Sequence, residues 1–224
     1  MPLYVPFFQQ QPGTWPGGQV HEIFRDPLGS DYPNGNYRLW VGTATIERPA
    51  DYTHFANAER LHIPLAGRGL RLHFRQPDET TELATGESCT FSGERPLHAI
   101  PADGPVFAFN LIYRQGQISG ARFVDVKAKR QALPLYAPPG ADLTQIVYAV
   151  AGEFLVDGWG ESQLMRAGDT SIYRLTESAA ATLLVTGRTP DASLLFAYVL
   201  TPVQSTTSRS TTSHSTTSHS ATSS

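Results

Sequence analysis

The alternation of apolar and polar positions predicts β-strands along most of the chain. Leu61 to Gly69 is an apolar run that ends in a Gly-x-Gly turn, and Leu70 to Phe74 follows with alternating apolar residues. Because glycine adopts the positive φ of a tight hairpin at no steric cost, this segment is typical of strand, turn and strand. Val106 to Tyr113 is nearly all apolar, as in a strand buried on both faces. No stretch of the sequence shows a convincing helical period.

The same pattern of turns and strands occurs twice. An L-A-G turn and a T-G-E-S turn flank one strand, and a V-A-G turn and an A-G-D-T turn flank a later one. The offset is 85 residues between Gly67 and Gly152, and 82 between Gly86 and Gly168. A period of this length indicates repetition of a whole small β-domain rather than of a solenoid unit. We therefore predict an all-β chain of two small antiparallel β-barrels of the double-stranded β-helix, or jelly-roll, type.

The positions of turn residues and changes in composition predict how the chain divides into segments. Residues 1–126 are expected to form the first barrel with an N-terminal arm, residues 127–142 a connector, and residues 143–204 a second, smaller half. Residues 205–224 are a Ser/Thr-rich repeat with no large apolar side chain. Such a segment buries too little surface to offset its ordering entropy, so we expect a disordered tail.

Composition and charge exclude several classes of protein. The 224 residues carry a formal net charge of −3, and the largest basic cluster is Lys127 to Arg130, so we expect no nucleic-acid partner. Cys89 is the single cysteine, which rules out an intramolecular disulfide framework and favours a reducing cytoplasm. No apolar run approaches the ~18–20 residues of a membrane span, and the N-terminus lacks the charged region of a signal peptide.

The first half contains histidines and carboxylates that are candidates for a metal site. An antiparallel barrel with these glycine turns resembles the cupin superfamily, whose metal sites use two His and a Glu before the first turn and a third His later. Here Tyr52 stands where a His would precede His54, Glu59 is displaced by about one residue, and His62 lies on the strand itself. His98 is the remaining candidate, and a metal needs three or more converging ligands. We therefore expect no metal and no other cofactor.

A closer resemblance rests on four segments that occur in order. The chain resembles the HutD/Ves family of bicupin proteins in T-W-P-G-G-Q-V-H-E-I (14–23), A-T-I-E-R (44–48), E-R-L-H-I-P-L-A-G-R-G-L-R-L (59–72) and F-S-G-E-R-P-L-H-A-I-P-A-D-G-P-V-F-A-F-N-L-I-Y-R (91–114). Two departures stand out: the opening segment lacks the family's Asn and Thr, and Ala108 replaces an Asp.

The resemblance implies a polar pocket in the first barrel. Carried over position by position, its ligand-binding residues are Trp15, Glu22, Glu47, His54, Arg60, His98 and Asn110. In this interpretation Arg60 holds a carboxylate bidentately and Trp15 covers a planar ligand. Each has a structural alternative. Arg60 could form an ion pair with a neighbouring glutamate, Trp15 could pack over a barrel end, Asn110 could link neighbouring strands, and His98 could lie in a surface loop.

Three functional hypotheses follow from the resemblance. The first is a cytoplasmic, metal-free bicupin that binds a small polar, carboxylate-bearing metabolite, such as urocanate or a formimino amino acid, and regulates histidine utilisation. The second is a cupin enzyme, a metal-dependent dioxygenase or an isomerase working through Glu47 and His54. The third is a structural or protein-binding module. We favour the first, assign no catalytic residue, and leave a homodimer as an open expectation because cupin-like sheets often pair.

Overall fold

In the computed structural model, which describes residues 2–31 and 36–203, β-strands follow one another with short turns. The only helical element in that part of the chain is a 3-10 helix at Phe7–Gln9. The strands up to residue 114 are β1 Leu3–Val5, β2 Gln11–Trp15, β3 Gly18–Asp26, β4 Leu39–Ile46, β5 Ala50–Asp51, β6 Ala58–Ala66, β7 Leu70–Arg75, β8 Asp78–Leu83, β9 Cys89–Ser92, β10 Leu97–Pro101 and β11 Val106–Arg114.

The remaining strands complete four antiparallel sheets. They are β12 Ile118–Asp125, β13 Gln131–Tyr136, β14 Ala141–Ala151, β15 Glu153–Gly158, β16 Glu161–Arg166, β17 Thr170–Leu175, β18 Ala180–Gly187 and β19 Ser193–Pro202. A six-stranded sheet (β2-β3-β4-β11-β6-β9) and a four-stranded sheet (β5-β10-β7-β8) make up what we call the first half. A five-stranded sheet (β1-β17-β14-β19-β12) and a four-stranded sheet (β13-β18-β15-β16) make up the second half.

Of the four apolar clusters among the described residues, three lie between sheets. Each half has a core between its own two sheets, with Leu72 and Phe74 in the first and Phe154 and Val185 in the second. A third cluster, which includes Phe109, joins the six-stranded sheet to the five-stranded sheet. The expected all-β, antiparallel fold is confirmed. Among the described residues, no helix is long and apolar enough to cross a membrane.

Strand β11 packs against a different apolar cluster on each of its two faces, because successive side chains point to opposite sides of the sheet. Val106 and Ala108 belong to the core of the first half, whereas Phe109 and Leu111 belong to the cluster against the second half. Because both faces are covered, β11 is apolar on both, as the sequence predicted. The turn glycines are also required. A Cβ on Gly67 would lie 2.9 Å from the Pro105 carbonyl oxygen, and φ there is +115°.

The sheets divide the chain differently from the expected segments 1–126, 127–142 and 143–204. Strand β1 pairs with β17 and β12 pairs with β19, so two strands from the predicted first segment belong to the second half. The predicted connector contains β13, which pairs with β18 and buries Leu133 and Leu135. Asp169 holds the N-terminal segment in place, since its carboxylate accepts hydrogen bonds from the Tyr4 hydroxyl at 2.8 Å and the Phe7 amide at 2.9 Å. The tail predicted over 205–224 lies outside the described residues.

Candidate ligand-binding site

A cavity of about 130 Å3 opens inside the first half. It lies between the six-stranded sheet and the loop that follows β5. Its volume is close to that of an apolar cavity of ~150 Å3 that accommodates benzene, so it is the size of a single ring. Its lining residues are Thr14, Trp15, Val20, Trp40, Ala44, Tyr52, Thr53, Arg60, Asn110 and Ile112.

A buried hydrogen-bonded chain crosses the wall of this cavity from β11 to the loop. His62 and Asn110 are paired across β6 and β11, and both are almost fully buried. His62 Nδ1 lies 2.8 Å from Asn110 Oδ1, and because an amide oxygen only accepts, Nδ1 carries the proton. Nε2 is then the acceptor for the Tyr52 hydroxyl at 3.3 Å. Asn110 therefore both links neighbouring strands and faces the cavity.

The surroundings keep the imidazole neutral. Burial lowers the pKa of His62 to about 4; the hydrogen bond to Asn110 opposes this shift, and the nearby charge of Arg60 adds to it. Burial also raises the pKa of the Tyr52 phenol well above its ordinary value, so that Tyr52 remains a hydroxyl donor. At neutral pH the cavity thus carries the cation of Arg60 beside a neutral histidine and a neutral tyrosine.

Arg60 is held against aromatic rings. Only 6% of the residue is exposed. Its guanidinium carbon lies 4.8 Å from the ring centroid of Tyr52, 4.9 Å from that of Phe55 and 5.8 Å from that of Phe91. Its Nη2 donates to the Thr53 carbonyl oxygen at 3.3 Å. Stacking of this kind fixes the plane of a guanidinium.

Two tryptophans form the apolar walls, and each lies over a glycine. A Cβ on Gly17 would lie 2.1 Å from the ring of Trp15, and one on Gly42 would lie 2.3 Å from the ring of Trp40. Any larger residue at either position would displace the ring above it. Trp40 is also anchored at its nitrogen, since Nε1 donates to Glu22 Oε2 at 2.7 Å.

The structure brings together part of the residue set that the family resemblance implied. Trp15, Arg60 and Asn110 line the cavity, and Glu22 lies behind Trp40, whose indole it orients while it also pairs with Arg25.

The other three residues of that set lie outside the cavity lining. Glu47 follows the end of β4 and faces Arg48 at 3.8 Å. His54 is exposed on the loop. On β10 the residues on either side of His98 point into the core, so His98 faces outward, where its Nδ1 lies 2.6 Å from Asp51 Oδ1. The contacts of Arg60 include the Thr53 carbonyl oxygen and the aromatic rings described above.

Three residues discussed above, Trp40 and Tyr52 in the lining and His62 behind it, were not among the predicted ligand-binding residues. His62 carried a usable signal, because Leu61 and Ile63 mark the opposite face of β6 and thereby place His62 beside Arg60. The sequence around Trp40 and Tyr52 gave no signal that these side chains face a cavity. A bulge shifts the register between β3 and β4 near Trp40, and Tyr52 lies in a loop without period.

The donor set does not fit a metal ion. A metal site on this fold needs three or more converging nitrogen, sulfur or carboxylate ligands. Across residues 2–31 and 36–203 no group of three or more His, Cys, Asp and Glu is placed to hold one. The one histidine inside the cavity wall, His62, uses both ring nitrogens on Asn110 and Tyr52.

Stacked antiparallel sheets with a cavity inside the first half define a cupin-fold protein. The family model for HutD matches residues 8–190, and the chain belongs to the HutD family. Comparison with curated protein sequences finds no match.

Solved structures share this fold. A conserved protein of unknown function, PA5104 from Pseudomonas aeruginosa PAO1, is 19% identical with a TM-score of 0.75, covering 89% of this chain and 98% of its own. HutD from Pseudomonas fluorescens SBW25 is 22% identical with a TM-score of 0.66, covering 88% and 98%. The pirin YhhW from Escherichia coli, solved in complex with nickel(II), is 10% identical with a TM-score of 0.61, covering 91% and 100%.

Proposed function

We propose that this protein binds a small carboxylate-bearing metabolite in the cavity of the first half and acts in the cytoplasm as a regulator of histidine utilisation. The observation that carries the proposal is the Arg60 guanidinium, buried and stacked on aromatic rings at the wall of a ring-sized cavity. The expected ligand resembles urocanate or a formimino amino acid, and no cofactor is involved.

The buried cation selects for an anion. Moving a charge out of water is costly unless an opposite charge or hydrogen bonds compensate for it. Arginine presents five N–H donors in a planar fork, and the Thr53 carbonyl accepts from one end of it. A ligand carboxylate would accept two parallel bonds from the fork, an arrangement roughly twice as strong as a pair of neutral hydrogen bonds.

The remaining walls favour a planar ligand. Trp15 and Trp40 supply flat apolar surfaces, and the amide of Asn110 faces the same space. Because Asn110 Oδ1 accepts from His62, its NH2 group is the part directed to a ligand acceptor. A planar group between the tryptophans and a carboxylate on Arg60 would together occupy a volume of one ring and a short arm.

Binding is favoured over catalysis by where the acid and base candidates lie. The enzyme hypothesis relied on Glu47 and His54, and neither lines the cavity. The polar side chains that do line it are a permanently charged arginine, an amide, two threonines and a tyrosine whose pKa is raised by burial. These groups hold and orient a ligand.

The proposal is tested by a thermal-shift titration of the full chain with urocanate, formiminoglutamate, histidine and glutamate. A ligand at 100 times its Kd adds ~2.7 kcal/mol, which corresponds to a rise in Tm of about 5–10 °C for a chain of this size. The shift should disappear in Arg60→Gln. Arg95→Gln is the matched control, because Arg95 also stacks on a ring of the first half, 4.0 Å from the Phe74 centroid, but does not line the cavity. A shift retained in Arg60→Gln, or no shift with any of the four compounds, would contradict the proposal.

A further inference from the structure

The two halves can be superimposed residue by residue from their pairing registers. A bulge interrupts the β6–β11 register at Leu65 and the β14–β19 register at Val150, two residues before Gly67 and Gly152 respectively. Counting back from these bulges places Gln145 of β14 at the position of Arg60 of β6.

The same registers extend the correspondence across the sheet. Asn110 pairs with His62 in β6 and with Gly42 in β4, while Phe196 pairs with Val147 in β14 and with Arg122 in β12. In the second half, Phe196 therefore occupies the position equivalent to Asn110. By the same registers, Arg122 is equivalent to Gly42, and Tyr198 is equivalent to Ile112. These positions in and beside the cavity wall thus have counterparts in the second half, with different chemistry.

A larger cavity occupies this equivalent place. It measures about 480 Å3 and lies between β12, β14 and β19 on one side and β13 on the other. Strand β12 ends its sheet among the described residues, whereas its counterpart β4 pairs onward with β3. The second half therefore has no equivalent of the tryptophan-bearing wall of β2 and β3. The volume of this larger cavity falls in the range of ~300–1,000 Å3 typical of sites for drug-sized ligands.

We propose that this cavity is a second binding site, for a planar and largely apolar organic anion. Its charge is supplied by Arg122, whose guanidinium carbon lies 5.1 Å from the ring centroid of Phe196. Arg122 is exposed. Within residues 2–31 and 36–203 it stacks on Phe196 and forms no ion pair. The cation is therefore available to a ligand, unlike those of the surface arginines that already pair with carboxylates, such as Arg130 with Asp157.

The rest of the wall matches a flat apolar ligand with one polar contact. Phe196, Tyr198 and Tyr136 present aromatic surface, and the ring of Tyr198 lies so close over Gly120 that a Cβ there would be 2.8 Å away. Gln145 is buried, and its amide nitrogen donates to the carbonyl oxygens of Ala197 at 2.7 Å and Ile146 at 3.3 Å. Its amide oxygen is left as the acceptor for a ligand donor at the cavity floor.

This proposal is independent of the function assigned to the first half, and its test uses a matched pair of probes. Isothermal titration of the full chain with 2-naphthoate and with the neutral 2-naphthalenemethanol measures what the negative charge contributes. We expect one saturable site per chain and an affinity about tenfold higher for the naphthoate, the effect of one charge-assisted hydrogen bond.

Variants then separate the charge from the aromatic wall. Arg122→Gln should weaken the naphthoate about tenfold and leave the alcohol unchanged. Tyr136→Ala should weaken both probes several-fold, and since Tyr136 is 58% exposed, the fold should tolerate the change. Arg95→Gln should affect neither probe, and Arg60→Gln reports whether the naphthoate instead occupies the cavity of the first half. The proposal would be overturned if the naphthoate bound no more tightly than the alcohol, or if its affinity were unchanged in Arg122→Gln. Loss of naphthoate binding in Arg60→Gln, or binding that does not saturate, would also overturn it.

Discussion

The buried imidazole of His62 predicts a specific dependence of stability on pH. Its pKa is lowered to about 4 in the folded protein by burial, whereas an unfolded chain restores the ordinary value near 6.5. Between these two values the unfolded state binds more protons than the folded state. Stability contributed by neutral His62 is therefore complete above pH ~6.5 and is lost as the pH falls toward 4.

The size of the effect follows from the two pKa values. The difference between the folded and unfolded pKa values gives about 2–3 kcal/mol of destabilisation at pH 4.5 relative to pH 7.5, with a maximum slope of ~1.4 kcal/mol per pH unit. Because His62 is fully buried, solvent screening does not reduce this figure. The titratable or charged groups that face it are Tyr52, which stays neutral throughout this range, and Arg60, which stays charged.

The assay is urea unfolding, monitored by tryptophan fluorescence, of the wild type and His62→Gln at several pH values between 7.5 and 4.5. Glutamine keeps an amide that can bond to Asn110 but does not titrate. All other groups titrate in both proteins, so the difference between the two curves isolates His62. We expect the wild type to lose about 2–3 kcal/mol more than the variant on acidification. Parallel curves, or a variant that loses more, would refute the assignment of a buried neutral histidine.

Further predictions concern the supports of the site and of the fold. Glu22→Ala removes the acceptor for the indole of Trp40, and we expect urocanate affinity measured by calorimetry to fall about tenfold with ~1–2 kcal/mol of lost stability. Gly42→Ala places a methyl group against the same indole and should cost ~1–3 kcal/mol in urea unfolding; an unchanged free energy of unfolding would contradict this packing. Asp169→Ala removes the carboxylate that binds Tyr4, and hydrogen exchange of residues 2–10 should accelerate while the cavity of the first half keeps its affinity. Unchanged exchange would contradict this role of Asp169.

The fold could be predicted because its signals are local. Glycine turns, alternating strands and an apolar run such as Val106 to Tyr113 each report on a few neighbouring residues. The assignment of strands to sheets could not be predicted in the same way. Strand β1 pairs with β17 across more than 160 residues, and that choice depends on Asp169, whose partners are invisible in the sequence.

The site shows the same division. Arg60 and Asn110, which the family resemblance implies as ligand-binding residues, both line the cavity, and the phase of β6 places His62 on the same face as Arg60. The same resemblance also implies Glu47, His54 and His98, which lie outside the cavity lining. Whether a side chain at the end of a strand or on an edge strand points inward depends on register and twist, which residue type does not encode. His98 illustrates this, since it pairs with Asp51 on the outer face of its sheet.

The central claim is that Arg60 binds a ligand carboxylate inside the first half. The most direct measurement is isothermal titration of urocanate and of its neutral amide into the wild type and Arg60→Gln. We predict that the wild type binds urocanate at least tenfold more tightly than the amide, and that Arg60→Gln binds both with the same weak affinity. A preference for urocanate that is as large in Arg60→Gln as in the wild type, or no preference in the wild type, would contradict the account.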